Sequence, residues 1–510
     1  MVRGESKLAK SSLYEVIVVG GGPAGSAMAW SLARRGVRVA VLERAVFPRE
    51  KVCGDFVEPA GLRILEAMGC REPLAAFTPL PITATRIYFG PRLGYRGAIP
   101  YYDVEHGLPP HGCIVPRHIL DTELLQRARA ASAAVYEGCA AAKIWRQGGL
   151  LHVDVRTRNK NFSLRSRLIV GADGAESIVG RTFGLSRTDR AHISISQRAY
   201  VEGVTVEDGE ATVWFDEDIA PGYGWMFPMA GGRANVGVGI LSETCHRHGH
   251  SVQKAFVSAV ERLRIRHPGC ARIKLVSKPI GGIVKMYGGI SQNHFDGGVL
   301  IGDAGSFADP MTGEGITQGM ESALIASSTI LGALERGRFD AAFLSTFERD
   351  FRRYFDPGML FLDFCAALMR NWHFREFWMR SVMRGLQRAQ ADPDFARIAG
   401  AGFGGLNVQP LAIVQRICWS ILHYLGEGTV QSIGDLFRGS TAAGDGILTD
   451  IAAWFSGWRQ SMTEDPEWHA AWLADVAKRA ERLESCLWMQ DNPRVRGPFA
   501  SIPETIGAGE

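Results

Sequence analysis

Nine cysteines in 510 residues never form a C-x-x-C pair, and their number is odd. That argues against a disulfide framework and predicts free thiols in a reducing cytoplasm. The chain has no uninterrupted apolar run of about eighteen residues or more, so no segment is expected to span a bilayer. Peripheral contact with a membrane or a carrier protein stays open. The polar opening MVRGESKLAKSS has no apolar h-region and reads as a loose leader rather than a secretory signal. Charge of one sign is also scarce: the formal net charge is +4, and nucleic-acid binding, which needs a dense basic patch, is not expected. Metal-ligand spacing is missing too. His246, His248 and His250 in CHRHGH alternate in a polar stretch after a strand, with no acidic or cysteine partner recurring nearby, and read as a solvated loop.

What is present is ordinary in bulk: 46% hydrophobic and 22% charged residues, as in a soluble globular protein. The length exceeds one core and predicts two or three domains. The most informative stretch is YEVIVVGGGPAGSAMAWSLARRGVRVAVLER. Tyr14 to Val19 is a short β-branched run suited to a central parallel strand. Gly20, Gly22 and Gly25 follow in G-x-G-x-x-G spacing, then a helical stretch to Arg35, a stop at Gly36, a strand from Val37 to Leu42, and Glu43. Gly20 permits the tight turn, Gly22 lets backbone approach a pyrophosphate, and Gly25, after Ala24, lets helix and strand lie close. The helix start offers free N–H groups to the phosphate. Glu43, with Arg44 beside it, stands where a carboxylate accepts hydrogen bonds from a ribose lacking a 2′-phosphate, which points to FAD or NAD.

Two later segments separate these. LIVGADGAESIVGR ends a strand in a turn with Asp173, Gly174, Ser177 and Arg181. GGVLIGDAGSFADPMTGEGITQGMESALIAS ends another at Asp303, followed by a proline loop, Glu314 and a long helix. Asp303 is placed for a ribityl or ribose hydroxyl. The N–H groups of Gly313 to Ile316, including Gly315, could hold a flavin oxygen or nitrogen that becomes anionic on reduction. An NAD dehydrogenase has no need of this third element.

The three motifs, in this order, resemble the FAD-binding fold of the p-hydroxybenzoate hydroxylase type, over about the first 350 residues. The resemblance implies an α/β fold: a Rossmann-type FAD-binding domain interleaved with a β-sheet substrate domain, plus a helical C-terminal domain. The expected boundaries are 12–75, 107–185 and 290–355 for the FAD-binding domain, 76–106 and 186–289 for the substrate domain, and 356–490 for the helical extension. Residues 1–11 and 491–510 are expected to be tails. Arg117, in VPRHILDTELLQRA, matches the arginine such proteins place near the FAD phosphates and ribityl chain; a helix-capping surface cation is the alternative.

Three local signatures resemble the geranylgeranyl reductase branch. KVCGD is similar to its K-x-C-G loop, which implies that Cys53 and Gly54 face the flavin. GYGWMFP is similar to its Y-x-W-x-F-P motif, which implies that Tyr223 and Trp225 line a substrate cavity, and ANVGVGI continues it. DPMTGEGI is similar to its P-x-T-G-E-G-I loop under the flavin. Met229 stands where that family usually has a lysine, which suits a neutral, lipophilic substrate. The halogenase pattern fails: W-x-W-x-I-P is absent, and no lysine lies between Lys51 and Lys143.

Such a site can deliver hydride to a C=C bond of an isoprenoid-like substrate, with Cys53 or Tyr223 as proton donor and Trp225 as positioner. The alternative is a monooxygenase, hydroxylating or epoxidising through a flavin C4a-hydroperoxide, in which Cys53 is a wall. A redox-neutral cyclase or a non-enzymatic flavin scaffold ranks lower. Electrons would come from NAD(P)H or a reductase partner. Beyond Asp356 lie eight of the twelve tryptophans, with Trp454/Trp458 and Trp468/Trp472 at i, i+4 spacing, hence on shared helix faces. They are expected to pack a helical region onto the flavin fold; the sharper reading has some of them lining a tunnel or a docking surface. GAGFGGLNVQP reads as a loop or linker. TEDPEWHAAW reads as a helix start capped by Thr463 or Asp465.

Overall fold

A computed structural model describes residues 13–75, 80–98, 109, 111–186, 189–205, 209–374, 376–378, 380 and 441–487. The expected tails and the glycine-rich 400–410 segment lie outside them.

The strand Leu13–Val19 is the hub of the first sheet. It pairs in parallel with Val39–Glu43 on one side and Phe162–Gly171 on the other, with Val16 opposite both Val39 and Leu168. Ala134–Glu137 and Gly298–Leu300 extend the parallel set. Successive side chains point to opposite faces, and the burial follows. Val16 and Val18 join the core made with helices Pro23–Ala33, Arg117–Ala130 and Ile316–Arg336. Ile17 and Val19 join the core on the other face, under the antiparallel strands Ala140–Gln147 and Leu150–Arg156. Covered on both faces, the strand reads as an unbroken apolar run.

The second sheet is mostly antiparallel. Ile193–Glu202, Arg233–Leu241, Tyr223–Met229 and Glu210–Phe215 lie side by side, continued by Ala84–Phe89 and Arg92–Ala98. The last two strands precede the helix Arg117–Ala130 in the chain, so the chain enters this sheet twice. Helix Val252–Arg266 covers its outer face. The two sheets are thus interleaved α/β and β layers, as the fold class required.

Several expectations need correction. The first helix ends at Ala33 and the second strand starts at Val39, because Arg34 to Gly36 close the helix with turn hydrogen bonds. The CHRHGH stretch is not a loop: Ser242–His248 is helical, stopped by Gly249 in the left-handed conformation, φ 65°. His248 and His250 pack against the Trp372 ring. The proposed boundary at 355/356 falls inside one continuous helix, Ala341–Met369, which carries Pro357 within it. Apolar packing of Phe347, Phe351, Phe355 and Met359 holds the helix together across that point. Helices Thr441–Glu464 and Pro466–Leu487 follow, and Asp465 caps the second by accepting from the Trp468 N–H at 3.2 Å.

Candidate functional site

The site lies where the ends of the parallel strands meet the inner face of the second sheet. One cavity of about 1100 Å³ joins the glycine turn, the loop Arg49–Gly54, the aromatic strand Tyr223–Met229 and the loop before helix Ile316–Arg336.

The three glycines play distinct parts. Gly20 holds φ +105°, and a Cβ there would lie 2.3 Å from the Ala172 carbonyl oxygen. A Cβ on Gly25 would lie 1.9 Å from the Gly20 oxygen. Both are glycine because protein fills the space. Gly22 differs: its Cβ would point into the cavity and meet only Arg49 Nη2, at 3.7 Å. Space kept clear beside a helix N-terminus, with the N–H groups of Ala24 and Gly25 behind it, fits a pyrophosphate, and so the residues present fit FAD. Ala24 is small because Gly302 and Gly319 crowd it. Glu43 is buried at the cavity edge; Oε2 accepts from the Gly21 N–H and Oε1 from the Ala45 N–H, each at 2.8 Å. Arg44 lines the same edge, exposed.

Arg117 starts its helix and is buried, so it is no surface cap. Its guanidinium grips Asp121 in bidentate fashion, at 2.7 and 2.8 Å, and Arg49 adds a contact to Asp121 at 2.9 Å. Arg117 also faces Cys53. Burial raises the Cys53 thiol above its ordinary range, with the Arg117 charge pulling the other way. The thiol therefore keeps its proton at neutral pH, while a cation stands by to stabilise the thiolate.

The glycine after it serves packing. A Cβ on Gly54 would meet the Phe227 ring at 2.8 Å and Trp225 Nε1 at 3.4 Å, so the aromatic strand demands that glycine. Tyr223, Trp225 and Phe227 form a ladder, with ring centroids 5.9 and 6.2 Å apart. Gly237, paired with Trp225 on the next strand, exists to make room: its Cβ would overlap the indole at 2.2 Å. Trp225 is pinned by donating to Asn235 Oδ1 at 3.0 Å. The Tyr223 hydroxyl donates to the Thr312 carbonyl, and burial raises it above its usual range; it ties the two walls together. Met229 does not reach the cavity. It packs beside Phe56 and Phe227 against Ile82, Ile114 and Ala211, because the strand has turned past the opening.

Two expected binding groups are occupied by the protein itself. Asp173 lines the cavity, but its carboxylate accepts from Ser177 Oγ at 2.5 Å and the Ile178 N–H at 2.6 Å, capping helix Ile178–Thr182. At the helix start Ile316–Arg336, the Ile316 and Thr317 N–H groups donate to Glu314 Oε1 at 2.9 and 3.0 Å. The Gly313 N–H goes to the Asp309 carbonyl and the Glu314 N–H to Thr312 Oγ1. Of the donors expected from Gly313 to Ile316, those of Gly313, Glu314 and Ile316 are thus taken up, since a carboxylate two residues ahead reaches the helix N-terminus first. Gly315 remains on the cavity wall, where a Cβ would press Asp303 Oδ1 at 3.1 Å. Asp303 faces the cavity with Lys51 Nζ 3.2 Å from Oδ2.

Sequence reasoning missed a buried polar chain behind the aromatic ladder. Asp55, at φ 63°, accepts from the Tyr200 hydroxyl at 2.6 Å and from Asn235 Nδ2 at 2.8 Å. Asn235 also donates to the Cys53 carbonyl at 2.9 Å. Burial pushes the Asp55 carboxyl up to about 6 against the pull of these donors. The one available signal was Asn235 itself, a polar residue in the apolar strand ANVGVGI. A second group, Glu58, Asp309, Glu314 and Glu321, lies under the loop; burial raises all four, with Glu314 and Glu321 at about 8. The sharper alternative of a tryptophan-lined tunnel is not seen: among the described residues no tryptophan from Trp372 onward lines the cavity, and Ala366 and Met369 do. Trp472 instead packs on Phe374, and Trp458 on His469.

Comparison with known proteins agrees with this geometry. The FAD binding domain family matches residues 13–355. A digeranylgeranylglycerophospholipid reductase of Methanothermobacter thermautotrophicus is 32% identical over 349 residues, 67% of this chain and 83% of that protein. A menaquinone reductase of Mycobacterium tuberculosis is 30% identical over 326 residues, 62% of this chain and 76% of that protein. A geranylgeranyl bacteriochlorophyll reductase-like protein of Thermoplasma acidophilum shares the fold with a TM-score of 0.62 and 22% identity, over 79% of this chain and 99% of that one. Among the described residues no helix is long and apolar enough to cross a membrane. The chain belongs to the geranylgeranyl reductase family of FAD-dependent oxidoreductases and is an FAD-dependent enzyme.

Proposed function

We propose that this enzyme reduces isolated C=C bonds in an isoprenoid chain, with Cys53 as the proton donor. The observation that carries the reading is the position of Cys53: on a loop between the dinucleotide cradle and the aromatic ladder, inside one continuous cavity, beside Arg117. The names of the relatives support the substrate class.

Reduced FAD, when bound, supplies the hydride. The protein must then deliver one proton to the other alkene carbon. Burial keeps that proton on Cys53 until it is needed, and Arg117 stabilises the thiolate left behind. Tyr223 is the weaker candidate, because its proton already serves the Thr312 carbonyl. Trp225, Phe227 and the glycines beneath them offer a flat apolar wall that excludes water from the reacting bond. For the cofactor, Gly20, Gly22, Ala24 and Gly25 would shape the pyrophosphate turn, Glu43 and Arg44 would meet a ribose, and Asp303, with Gly315 beside it, would meet a ribityl or ribose hydroxyl. Cys53, Gly54, Arg117 and Asp173 complete the enclosure. Electrons come from NAD(P)H or a reductase partner, and a lipid-borne substrate brings the protein to a membrane surface.

The test is single turnover of dithionite-reduced enzyme with a polyprenyl lipid under argon. The expected product gains two hydrogens per double bond. A product that gains oxygen, or turnover only after O₂ is admitted, makes the enzyme a monooxygenase instead.

A further inference from the structure

The cavity has one wall from beyond the matched region. Helix Ala341–Met369 runs on past residue 355, and Ala366 and Met369 near its end line the cavity. A neighbouring stripe of the same helix is clamped from behind. Asp363 is paired with Arg479, Trp472 Nε1 donates to the Ala367 carbonyl at 2.9 Å, and Arg370 is paired with Asp475. All three partners sit on helix Pro466–Leu487. At about 3.6 residues per turn, Ala366 and Met369 lie roughly a quarter turn from that stripe. One side of the helix is thus fixed while the adjoining side is presented to the cavity.

The location of this wall follows from its neighbours. Arg370, next to Met369, comes within 3.8 Å of Glu243, two residues past Leu241 at the end of strand Arg233–Leu241. Leu241, Ser194 and Val284 form one row across the sheet, and all three line the cavity. Trp225 pairs with Gly237 on that same strand. Four residues separate Gly237 from Leu241, so the wall stands roughly 14 Å from the indole row. A two-isoprene chain reacting near the indole ends short of that distance, and a four-isoprene chain overruns it. Apart from Ser194, the side chains there are apolar, which suits hydrocarbon rather than a headgroup.

We propose that Ala366 and Met369 are specificity-determining residues that set how long an apolar chain the cavity accepts, with helix Pro466–Leu487 as their buttress. The proposal rests on the reading of the site as a prenyl-chain reductase. Alanine at 366 leaves room that a larger side chain removes, while Met369 adapts to what passes it.

The test compares the FAD-loaded wild type with Ala366→Phe on geraniol and geranylgeraniol, under argon with dithionite. One readout is kcat/KM; the other, independent of turnover, is the Kd of each alcohol from the change in oxidised-flavin absorbance. Ala366→Phe is expected to lower kcat/KM and weaken binding for geranylgeraniol about tenfold or more, with geraniol within about threefold. Equal losses on the two alcohols, or none on either, overturn the proposal. If Ala366→Phe fails to retain FAD, Met369→Phe carries the same expectation. A wild type that reduces neither alcohol sinks the reductase reading, and the Kd comparison still decides the chain-length role.

Discussion

Asn235 Nδ2 donates to Asp55 Oδ2 at 2.8 Å, and Oδ1 of the same amide accepts the Trp225 indole N–H at 3.0 Å. One fully buried side chain thereby fixes both the aromatic wall and the backbone that carries Cys53. Asn235→Ala takes from the indole N–H and the Cys53 carbonyl the partner each has, and leaves Asp55 Oδ2 only Tyr200. At about 1–3 kcal/mol for each buried group left unpaired, the variant should unfold at clearly lower denaturant, and substrate KM should rise more than kcat falls. Unchanged stability would mean that the chain of bonds is not formed.

The two kinds of glycine should separate cleanly. Gly25→Ala places a Cβ 1.9 Å from the Gly20 oxygen and should destabilise the apo-protein itself. Gly22→Ala meets nothing closer than 3.7 Å, so the apo melting temperature should hold while the FAD Kd rises. The comparison needs a melt of both apo variants and a flavin titration. A Gly22→Ala variant that binds FAD as the wild type does would remove that residue from the pyrophosphate site.

Cys53→Ala should slow alkene-dependent reoxidation of the prereduced enzyme by about 10²–10⁴-fold, the usual range for a lost general acid. Reduction of the flavin by its electron donor should stay within a small factor, since that step needs no proton from the thiol. Rapid-mixing spectra at the flavin band measure both half-reactions. If Cys53→Ala and Cys53→Ser both turn over normally, the residue is only a wall.

Stability should fall as pH rises. Glu321 is almost fully buried, and its carboxyl is raised from 4.5 to about 8, chiefly by desolvation. The folded protein therefore holds a proton between those values that the unfolded chain has released. That stabilisation is fully present below about 4.5 and is lost as pH rises through about 8. Glu321→Gln, which keeps a neutral hydrogen-bonding group beside Tyr354, should flatten this part of the pH profile in urea melts from pH 5 to pH 9. An unchanged slope would show that Glu321 does not carry the linkage.

Arg117→Ala removes the bidentate partner of the fully buried Asp121 and leaves it only Arg49. Breaking a buried pair from one side costs about 3–5 kcal/mol. Both the melting temperature and FAD retention on gel filtration should drop, with Arg117→Lys recovering part of each. Full retention of FAD by Arg117→Ala would make the arginine purely structural.

The glycine turn, Glu43 and the aromatic strand were legible because each is a local pattern whose spacing follows from strand and helix geometry. The helix at Ser242–His248 was misread because alternating histidines mask a short helix that takes its order from tertiary contacts. Glu314 was given no part at the helix start, whose N–H groups were expected to face a flavin. Which acceptor reaches a helix start first depends on the loop path, and residue order does not give that. Asp55 drew no attention, although it closes the KVCGD stretch that carries Cys53, because an aspartate beside glycine usually marks a turn.

Sequence alone determined the parallel hub strand, the glycine turn that FAD requires and the apolar strand that faces it. These depend on side-chain size and period within a few tens of residues. Tertiary structure decided what closes the cavity. Ala366 and Met369 are more than three hundred residues from the glycine turn, and their placement comes from Arg479, Trp472 and Asp475 gripping an adjoining side of their helix. Those pairings are long-range, their energy comes from burial and paired charge, and no local pattern encodes them.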